Sequence, residues 1–183
     1  MYRLLNGSVL LVLCATGIQS TAVYSDESDK QQRITAKLIG QCAESDGLWT
    51  RAEAMDLLGS MRAEQAIPVL TRNLDFSPEL EEDLKTGRIR SWRSEYTKNT
   101  DYYPAFRALV AIGQPSVLPL LAVLRDERFG SRTILAFHAL DEILGDTGLL
   151  QLLQAEVGKS GSDEVRERLR QYLKVMEDTK RNR

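Results

Sequence analysis

One pattern recurs three times in this chain and restricts it to a small group of folds. Residues 59–70, 108–121 and 139–153 each read as the end of an apolar helix, a tight turn and the start of a second apolar helix. One helical hairpin cannot bury its apolar face alone, so repeated hairpins must stack on one another. The repetition therefore predicts an all-α protein, an α-solenoid of about three helical hairpins with flanking capping helices.

The composition agrees with a protein of this kind. The apolar positions are dominated by Leu and Ala, and only 7% of the 183 residues are aromatic, as expected for closely packed helices. The formal net charge of -2 argues against a nucleic-acid partner, because nucleic-acid binding usually needs a strongly basic surface. We therefore expect a protein partner, whose identity the sequence does not indicate.

The helices can be placed from the spacing of apolar residues. The first hairpin is predicted over about 48–60 and 64–75, the second from about 102, and the third over about 131–144 and 147–157. Helices at about 29–43 and from 162 onward flank them. We assign the glycines, including Gly59 and Gly113, to the turns. Apolar candidates for the core of the first two hairpins include Trp49, Ala52, Met55, Leu57, Leu58, Val117, Leu118, Leu121 and Leu124.

The spacing of the copies reveals an insertion. Pro68, Pro119 and Gln151 occupy the same position in the three copies and lie 51 and 32 residues apart. The second spacing fits one hairpin, and the first exceeds it by 19 residues, so an insertion is predicted at about 76–101. The same alignment predicts that the leucines two residues later are buried at equivalent positions; they are Leu70, Leu121 and Leu153.

These motifs resemble the HEAT-repeat superfamily, especially the short-period repeats of phycobilisome-lyase-like proteins. Gly59 with residues 66–70, Gly113 with residues 115–121, and the run from Asp126 through Arg132 to Leu140 carry the resemblance. The third copy departs from the pattern, since Gln151 replaces the proline. The resemblance covers residues 48–157 and implies the fold, but it does not imply a function, because the superfamily ranges from scaffolds to chromophore-lyase subunits.

The N-terminus has the pattern of an export signal. Arg3 precedes an apolar stretch over residues 4–13, and the small residues 20–22 suit a cleavage site. An uncleaved anchor is the alternative, and lipidation at Cys14 is disfavoured by the bulky residue before it. We predict a signal peptide at 1–22, a disordered linker at 23–30, the solenoid domain at 31–178 and a basic tail at 179–183. No stable membrane span is expected after cleavage, and the localisation is then periplasmic or extracellular.

The insertion contains the residues best suited to binding. A short helix from Ser77-Pro78 to Gly87 is predicted first, and basic residues then alternate with apolar and aromatic ones. Arginine beside tryptophan or tyrosine is the combination favoured at binding hot spots. We predict that partner binding uses Arg90, Trp92, Arg93 and Tyr96. The alternative is that Trp92 and Tyr96 fold back onto the solenoid and the arginines are solvated.

No catalytic or metal-binding constellation is evident in the sequence. His138 is the single histidine and lies on an apolar helix, and Cys42 lies on an apolar stripe that predicts a buried thiol. The acids of residues 81–83 are interpreted as a solvated helix face. We therefore expect no catalytic residues, no cofactor and no metal site.

Two hypotheses for the function remain. The first is an exported, non-catalytic protein-interaction scaffold of the HEAT-repeat type. The second is a non-catalytic or lyase-like subunit associated with an enzyme or a maturation complex, which the resemblance permits. The export signal counts against the lyase role, because phycobilin attachment occurs in the cytoplasm or plastid.

Overall fold

A computed structural model describes residues 18–44, 47–88 and 100–181 of the chain. Within those ranges it contains eight α-helices and no β-strand, so the predicted all-α fold is confirmed. Short 3₁₀ turns precede three of the helices, at Glu64–Ala66, Thr100–Tyr102 and Gln114–Ser116. The helices are α1 (Ile18–Glu44), α2 (Leu48–Ser60), α3 (Ile67–Arg72), α4 (Pro78–Lys85), α5 (Pro104–Ile112), α6 (Val117–Asp126), α7 (Ser131–Lys159) and α8 (Asp163–Arg181).

Backbone contacts divide the chain into two units, residues 1–34 and 35–183. The described residues of the first unit belong to α1, which begins at Ile18. Residues 23–30 are therefore helical in the full chain, whereas we predicted a disordered linker. The segment contains neither proline nor glycine, so no residue in it strongly opposes a helix. The predicted cleavage near residue 22 stays a prediction.

The second unit is a stack of helical hairpins. The helices α2 and α3 pack against α5 and α6, these pack against α7, and α8 packs against both α6 and α7. Each hairpin thus contacts the next one along the chain, which is the packing expected of an α-solenoid. One hydrophobic core runs through the unit from Leu38 in α1 to Met176 in α8.

The repeat alignment identifies equivalent core positions correctly. Leu70, Leu121 and Leu153 have exposed fractions of 0%, 3% and 0%. Each lies in the second helix of its hairpin. Their predicted burial is confirmed.

The turn of the first hairpin lies between Ser60 and Glu64, as the predicted helix boundaries imply, but Gly59 is not part of it. Gly59 lies inside α2, and the residue with positive φ in this turn is Arg62, at 50°. The amide of Arg62 donates to the carbonyl of Gly59, and the amide of Ala63 donates to the carbonyl of Leu58, which is the hydrogen-bond pattern of a Schellman motif. Arginine thus occupies a position that normally favours glycine.

The other two hairpins do have glycine at this turn. Gly113 has φ of 81° and Gly145 has φ of 69°. Arg62, Gly113 and Gly145 lie 51 and 32 residues apart, the same spacings that separate Pro68, Pro119 and Gln151. Positive φ is therefore a structural feature of the repeat, and in the first copy Arg62, not Gly59, is its equivalent.

Gly59 is required for a different reason. A Cβ placed on it would lie 2.5 Å from the Cα and 2.9 Å from the Cβ of Ala108. Real Cβ atoms do not approach other carbon atoms so closely, and the atom in the way belongs to the backbone of α5, which cannot rotate aside. The two first helices of neighbouring hairpins therefore touch through a Gly–Ala pair.

Several predicted boundaries shift slightly. The helix α3 ends at Arg72 rather than near Asp75. Directly after this end, the side-chain amide of Asn73 donates to the Val69 carbonyl at 2.8 Å, and this hydrogen bond competes with the backbone hydrogen bonds that would continue the helix. The two predicted helices of the third hairpin both belong to α7, which runs from Ser131 to Lys159, and Gly145 is the residue with non-helical backbone angles between them. The final helix continues to Arg181, so most of the predicted basic tail is helical.

The predicted caps of the insertion and of the last helix are confirmed. The Ser77 hydroxyl accepts from the amide of Leu80, Pro78 occupies the first turn of α4, and Gly87 follows the helix with φ of 74°. The Ser162 hydroxyl accepts from the amide of Val165 at the start of α8. Gly47 occupies the N-cap of α2.

The Gly59–Ala108 contact can be tested with one methyl group. By helix propensity alone, Gly59→Ala would stabilise α2 by about 0.5–1 kcal/mol. Because the methyl would collide with backbone, we expect instead a destabilisation of about 1–3 kcal/mol in urea unfolding. The matched control is Gly40→Ala in α1, where a Cβ meets nothing within 4 Å, so stability should rise. Similar effects of both changes would contradict the close approach.

The repeat turn predicts opposite effects of two glycine exchanges. Arg62→Gly should stabilise the protein by roughly 1 kcal/mol, because it relieves a left-handed conformation in a residue that carries a Cβ. Gly145→Ala should destabilise it by about 1–3 kcal/mol, since φ of 69° with ψ of 165° is a region that only glycine visits readily. Thermal unfolding of both variants, with Arg62→Ala as the control for the lost side chain, checks this. A lower melting temperature for Arg62→Gly would contradict the assignment.

The burial of the three equivalent leucines predicts how much their replacement by alanine destabilises the protein. Leu→Ala at position 70, 121 or 153 should cost about 2–5 kcal/mol, because each side chain is fully buried and its removal leaves a cavity. The exposed Leu118, with 73% of its surface accessible, is the control, and its replacement by Ala should change stability little. Chemical denaturation of the four variants measures both effects, and near-neutral results at all three buried positions would contradict the repeat alignment.

Candidate interaction site

The outer face of α2 carries large apolar side chains that the core does not cover. Trp49 and Leu57 expose 55% and 44% of their surface, whereas Met55 and Leu58 on the opposite side are fully buried. We predicted Trp49 and Leu57 as core residues, and this is wrong. The helix is apolar on most of its circumference, and apolar spacing alone does not tell which side meets α5.

A cleft of about 520 Å³ lies along this face of α2. The beginning of α4 and the beginning of α5 form its other walls, together with Tyr102 from the 3₁₀ turn before α5. Its volume falls within the range of ligand-binding clefts. The residues that line it are Trp49, Ala52, Glu53, Asp56, Leu57, Ser60, Pro78, Glu79, Tyr102, Pro104 and Arg107.

Arg107 ties the walls of the cleft together. Its Nη2 atom lies 2.8 Å from both carboxylate oxygens of Asp56 in α2, and its Nε lies 3.2 Å from Oδ1. Its Nη1 also donates to the backbone carbonyl of Asp101. Both partners are about 40% exposed, so the pair contributes at most about 1 kcal/mol to stability. Its structural effect is to hold α5, α2 and the 3₁₀ turn in a fixed arrangement.

The cleft stays acidic after Arg107 has neutralised Asp56. Among the described residues, three carboxylates and one guanidinium line it, which gives a formal charge of -2. The charge of Asp56 is neutralised by Arg107. Glu79 accepts a hydrogen bond from the Ser77 hydroxyl at 3.2 Å, and Glu53 is exposed on α2 midway between Trp49 and Leu57. The two remaining charges thus belong to Glu53 and Glu79.

The residues that we predicted for partner binding lie outside the described part of the chain. Arg90, Trp92, Arg93 and Tyr96 fall within residues 89–99. The elements at the two ends of this segment are α4 and the turn Thr100–Tyr102, and both contribute side chains to the cleft. The structure therefore does not test these four residues.

Sequence reasoning missed the cleft itself, although a signal for it was present. Trp49, Glu53 and Leu57 recur every four residues and so share one side of α2. A glutamate between two apolar residues on one helical face indicates that this face is solvent-accessible. Residues from α4 and α5 could not be assigned to the same site, because they approach α2 only in the folded protein.

The thiol of Cys42 and the hydroxyl of Tyr103 lie in environments that disfavour their ionised forms. Burial raises the pKa of the Cys42 thiol to about 11, and the positive charge of Arg51 opposes this only in part. Burial also raises the pKa of the Tyr103 hydroxyl to about 12, with a further contribution from the negative charge of Asp75. His138 is half-buried, with its ring 6.0 Å from that of Phe137.

Neither a cluster of metal ligands nor a single membrane-spanning helix occurs in the described residues. No group of three or more His, Cys, Asp or Glu side chains is placed to hold a metal ion. No single helix in this part of the chain is long and apolar enough to cross a bilayer. A pair of helices, Pro104–Ile112 and Gln114–Asp126, passes that test jointly by length and composition, but it is bent by 115°.

Comparison with known proteins identifies the first hairpin. Residues 50–76 match the family described as PBS lyase HEAT-like repeat, and this match spans most of α2, the turn at Arg62 and all of α3. No curated protein and no solved structure matches the chain. Residues 50–76 are thus similar to a HEAT-like repeat of the PBS lyase type, and the resemblance to the HEAT-repeat superfamily that the sequence predicts is confirmed.

Proposed function

We propose that this protein is an exported, non-catalytic scaffold that binds another protein through the α2 cleft. One observation carries the proposal: Trp49, Leu57 and Tyr102 are all exposed, and all three line the same cleft. Aromatic and aliphatic side chains that are grouped in a concave site are typical of protein-binding surfaces. Exposed apolar residues outside such a site carry no comparable meaning.

The architecture suits such a role. The side chains of the cleft project from α2, α4 and α5, and α2 and α5 are in direct backbone contact at Gly59 and Ala108. A surface on rigid helices loses little conformational entropy when a partner binds. HEAT-like repeats supply this kind of preorganised surface, and the matched hairpin contributes the face that bears Trp49 and Leu57.

The inserted segment is proposed as a second contact. Arg90, Trp92, Arg93 and Tyr96 combine aromatic area with guanidinium groups, and the segment is attached to two elements that line the cleft. The start of the insertion packs into the core through Phe76 and Leu80. The proposed binding role therefore concerns residues 89–99.

Export is the second part of the proposal. It rests on the arginine, apolar stretch and small residues of positions 1–22. N-terminal sequencing of the protein recovered from the exported compartment tests it, with Val23 expected as the first residue. An intact N-terminus in a membrane fraction would favour an uncleaved anchor.

A second candidate function is a subunit of an enzyme or maturation complex. The observation that favours it is the lyase-type repeat at residues 50–76. In that case the captured partner would be an enzyme, and its activity would depend on this chain. Identification of the partner by mass spectrometry after affinity capture from the exported compartment distinguishes the two functions.

The proposed cleft predicts a separation of binding from stability. The double change Trp49→Ala and Leu57→Ala should weaken partner capture at least tenfold, since each anchor contributes on the order of 1–2 kcal/mol to binding. The melting temperature should change little, because neither side chain belongs to the core. Leu118→Ala is the control, because it removes a leucine that is more exposed than Leu57, 73% against 44%, and that does not line the cleft.

The insertion predicts a parallel result. Replacement of Arg90, Trp92 and Arg93 by Ala should also reduce capture and leave the melting temperature unchanged. Loss of stability with capture intact would mean that these side chains are structural. Intact capture by both this variant and the Trp49/Leu57 variant would overturn the proposed function.

A further inference from the structure

We infer that the α2 cleft selects a basic peptide segment in which a Lys or Arg lies between two apolar residues, at alternate positions of an extended chain. This inference rests on the proposed function and specifies the chemistry of the partner. It derives from the order of apolar and acidic groups along α2, from the hydrogen bonds of Arg107 and from the spacing of helical residues.

The order of groups along α2 is apolar, acidic, apolar. Trp49, Glu53 and Leu57 are all exposed, and each follows the previous one at a spacing of four positions. A helix rises by about 1.5 Å per residue, so Trp49 and Leu57 lie about 12 Å apart along its axis, with Glu53 near the midpoint. The cleft therefore presents two apolar contacts with one carboxylate between them.

An extended peptide matches these distances. Its residues rise by about 3.3 Å each, and positions i, i+2 and i+4 point to the same side over about 13 Å. Apolar side chains at i and i+4 would then reach Trp49 and Leu57, and the side chain at i+2 would reach Glu53. The chain spacing and the surface spacing agree within about 1 Å.

The central residue must be a cation for an energetic reason. A partner that fills the cleft removes water from Glu53 and Glu79, and a carboxylate that loses water without gaining a donor is strongly destabilised. A purely apolar peptide would leave both carboxylates without compensation, and an acidic peptide would be repelled. Lys or Arg at the central position supplies the charge and the donors.

Arg107 does not reverse this preference. It is the one cation that lines the cleft in the described part of the chain, and its guanidinium already binds both oxygens of Asp56 and the carbonyl of Asp101. An acidic peptide would have to displace a bidentate pair to use it. The groups that remain for a ligand are the carboxylates of Glu53 and Glu79.

The first experiment is a selection of random peptides displayed on phage against the full chain. Peptides with a central Lys or Arg flanked by apolar residues two positions away on each side are expected to be enriched. Enrichment of acidic or purely apolar peptides, or of none, would overturn the inference. If such non-basic peptides still required Trp49 and Leu57, the proposed function would stand, but the inference that the partner is basic would not. Binding that persists in the Trp49/Leu57 variant would instead count against the cleft.

The second experiment measures the coupling between the cation and Glu53. A labelled peptide from the selection is titrated by fluorescence anisotropy, together with a version in which the central Lys or Arg is replaced by Gln. Glu53→Gln should weaken the basic peptide at least fivefold, and the Gln peptide should bind both proteins alike. Glu177→Gln, which removes an exposed acid on α8, is the matched control and should have no effect. Equal effects of the two protein changes would overturn the inference.

The remaining occupants of the cleft are also outcomes of these measurements. If replacement of Arg90, Trp92 and Arg93 by Ala strengthens peptide binding, the chain's own insertion occupies the cleft, and a separate basic partner is overturned. If sedimentation shows a dimer that Trp49→Ala dissociates, a second copy of the chain occupies the cleft, and a separate basic partner is again overturned. A monomer whose peptide affinity is not raised by the triple change supports the inference.

Discussion

The contact between Gly59 and Ala108 is the constraint on which the arrangement of the hairpins depends. It sets the distance between α2 and α5, because the backbones meet there with no room for a methyl group on Gly59. The large residues on either side of this contact, Met55, Leu58 and Phe106, then fill the space that the close approach leaves. A wider separation would leave cavities around all three, so one glycine fixes the packing of the first two repeats.

The same approach of the helices creates the cleft along α2. When α2 turns Gly59 and Leu58 toward α5, the side with Trp49, Glu53 and Leu57 must face outward. The pair between Arg107 and Asp56 bridges α5 and α2 at the edge of the contact, and the carbonyl of Asp101 brings the 3₁₀ turn with Tyr102 to the same place. The acidic cleft and the apolar core are thus two faces of one helix pair, and their orientations cannot change independently.

The repeats show how a common geometry tolerates different residues. Positive φ recurs at Arg62, Gly113 and Gly145, although only two of the three are glycine. In the first turn the Schellman hydrogen bonds hold Arg62 in a left-handed conformation, and these bonds offset the steric cost of its Cβ. The backbone of the turn is therefore retained by the repeat even where the side chain disfavours it. This explains why a search for glycine alone selected the wrong residue in the first copy.

The sequence by itself determined the helical class, the stacking of three hairpins, the caps at Ser77 and Ser162, and the burial of the equivalent leucines. These follow from local rules: apolar spacing defines a helix, serine satisfies its free amides, and a repeated hairpin must cover its apolar face. It also allowed a hypothesis for Arg90, Trp92, Arg93 and Tyr96, which the described residues do not test.

The tertiary structure alone decided which side of α2 is buried and which glycine is needed for packing. Trp49 and Leu58 are both apolar and lie on one short helix, so apolar spacing alone does not distinguish the exposed residue from the core residue. Likewise, the demand on Gly59 arises from Ala108, which is 49 residues away in the chain. The cleft combines α2, α4 and α5 for the same reason: contacts between distant segments are set by packing in three dimensions, and no local pattern encodes them.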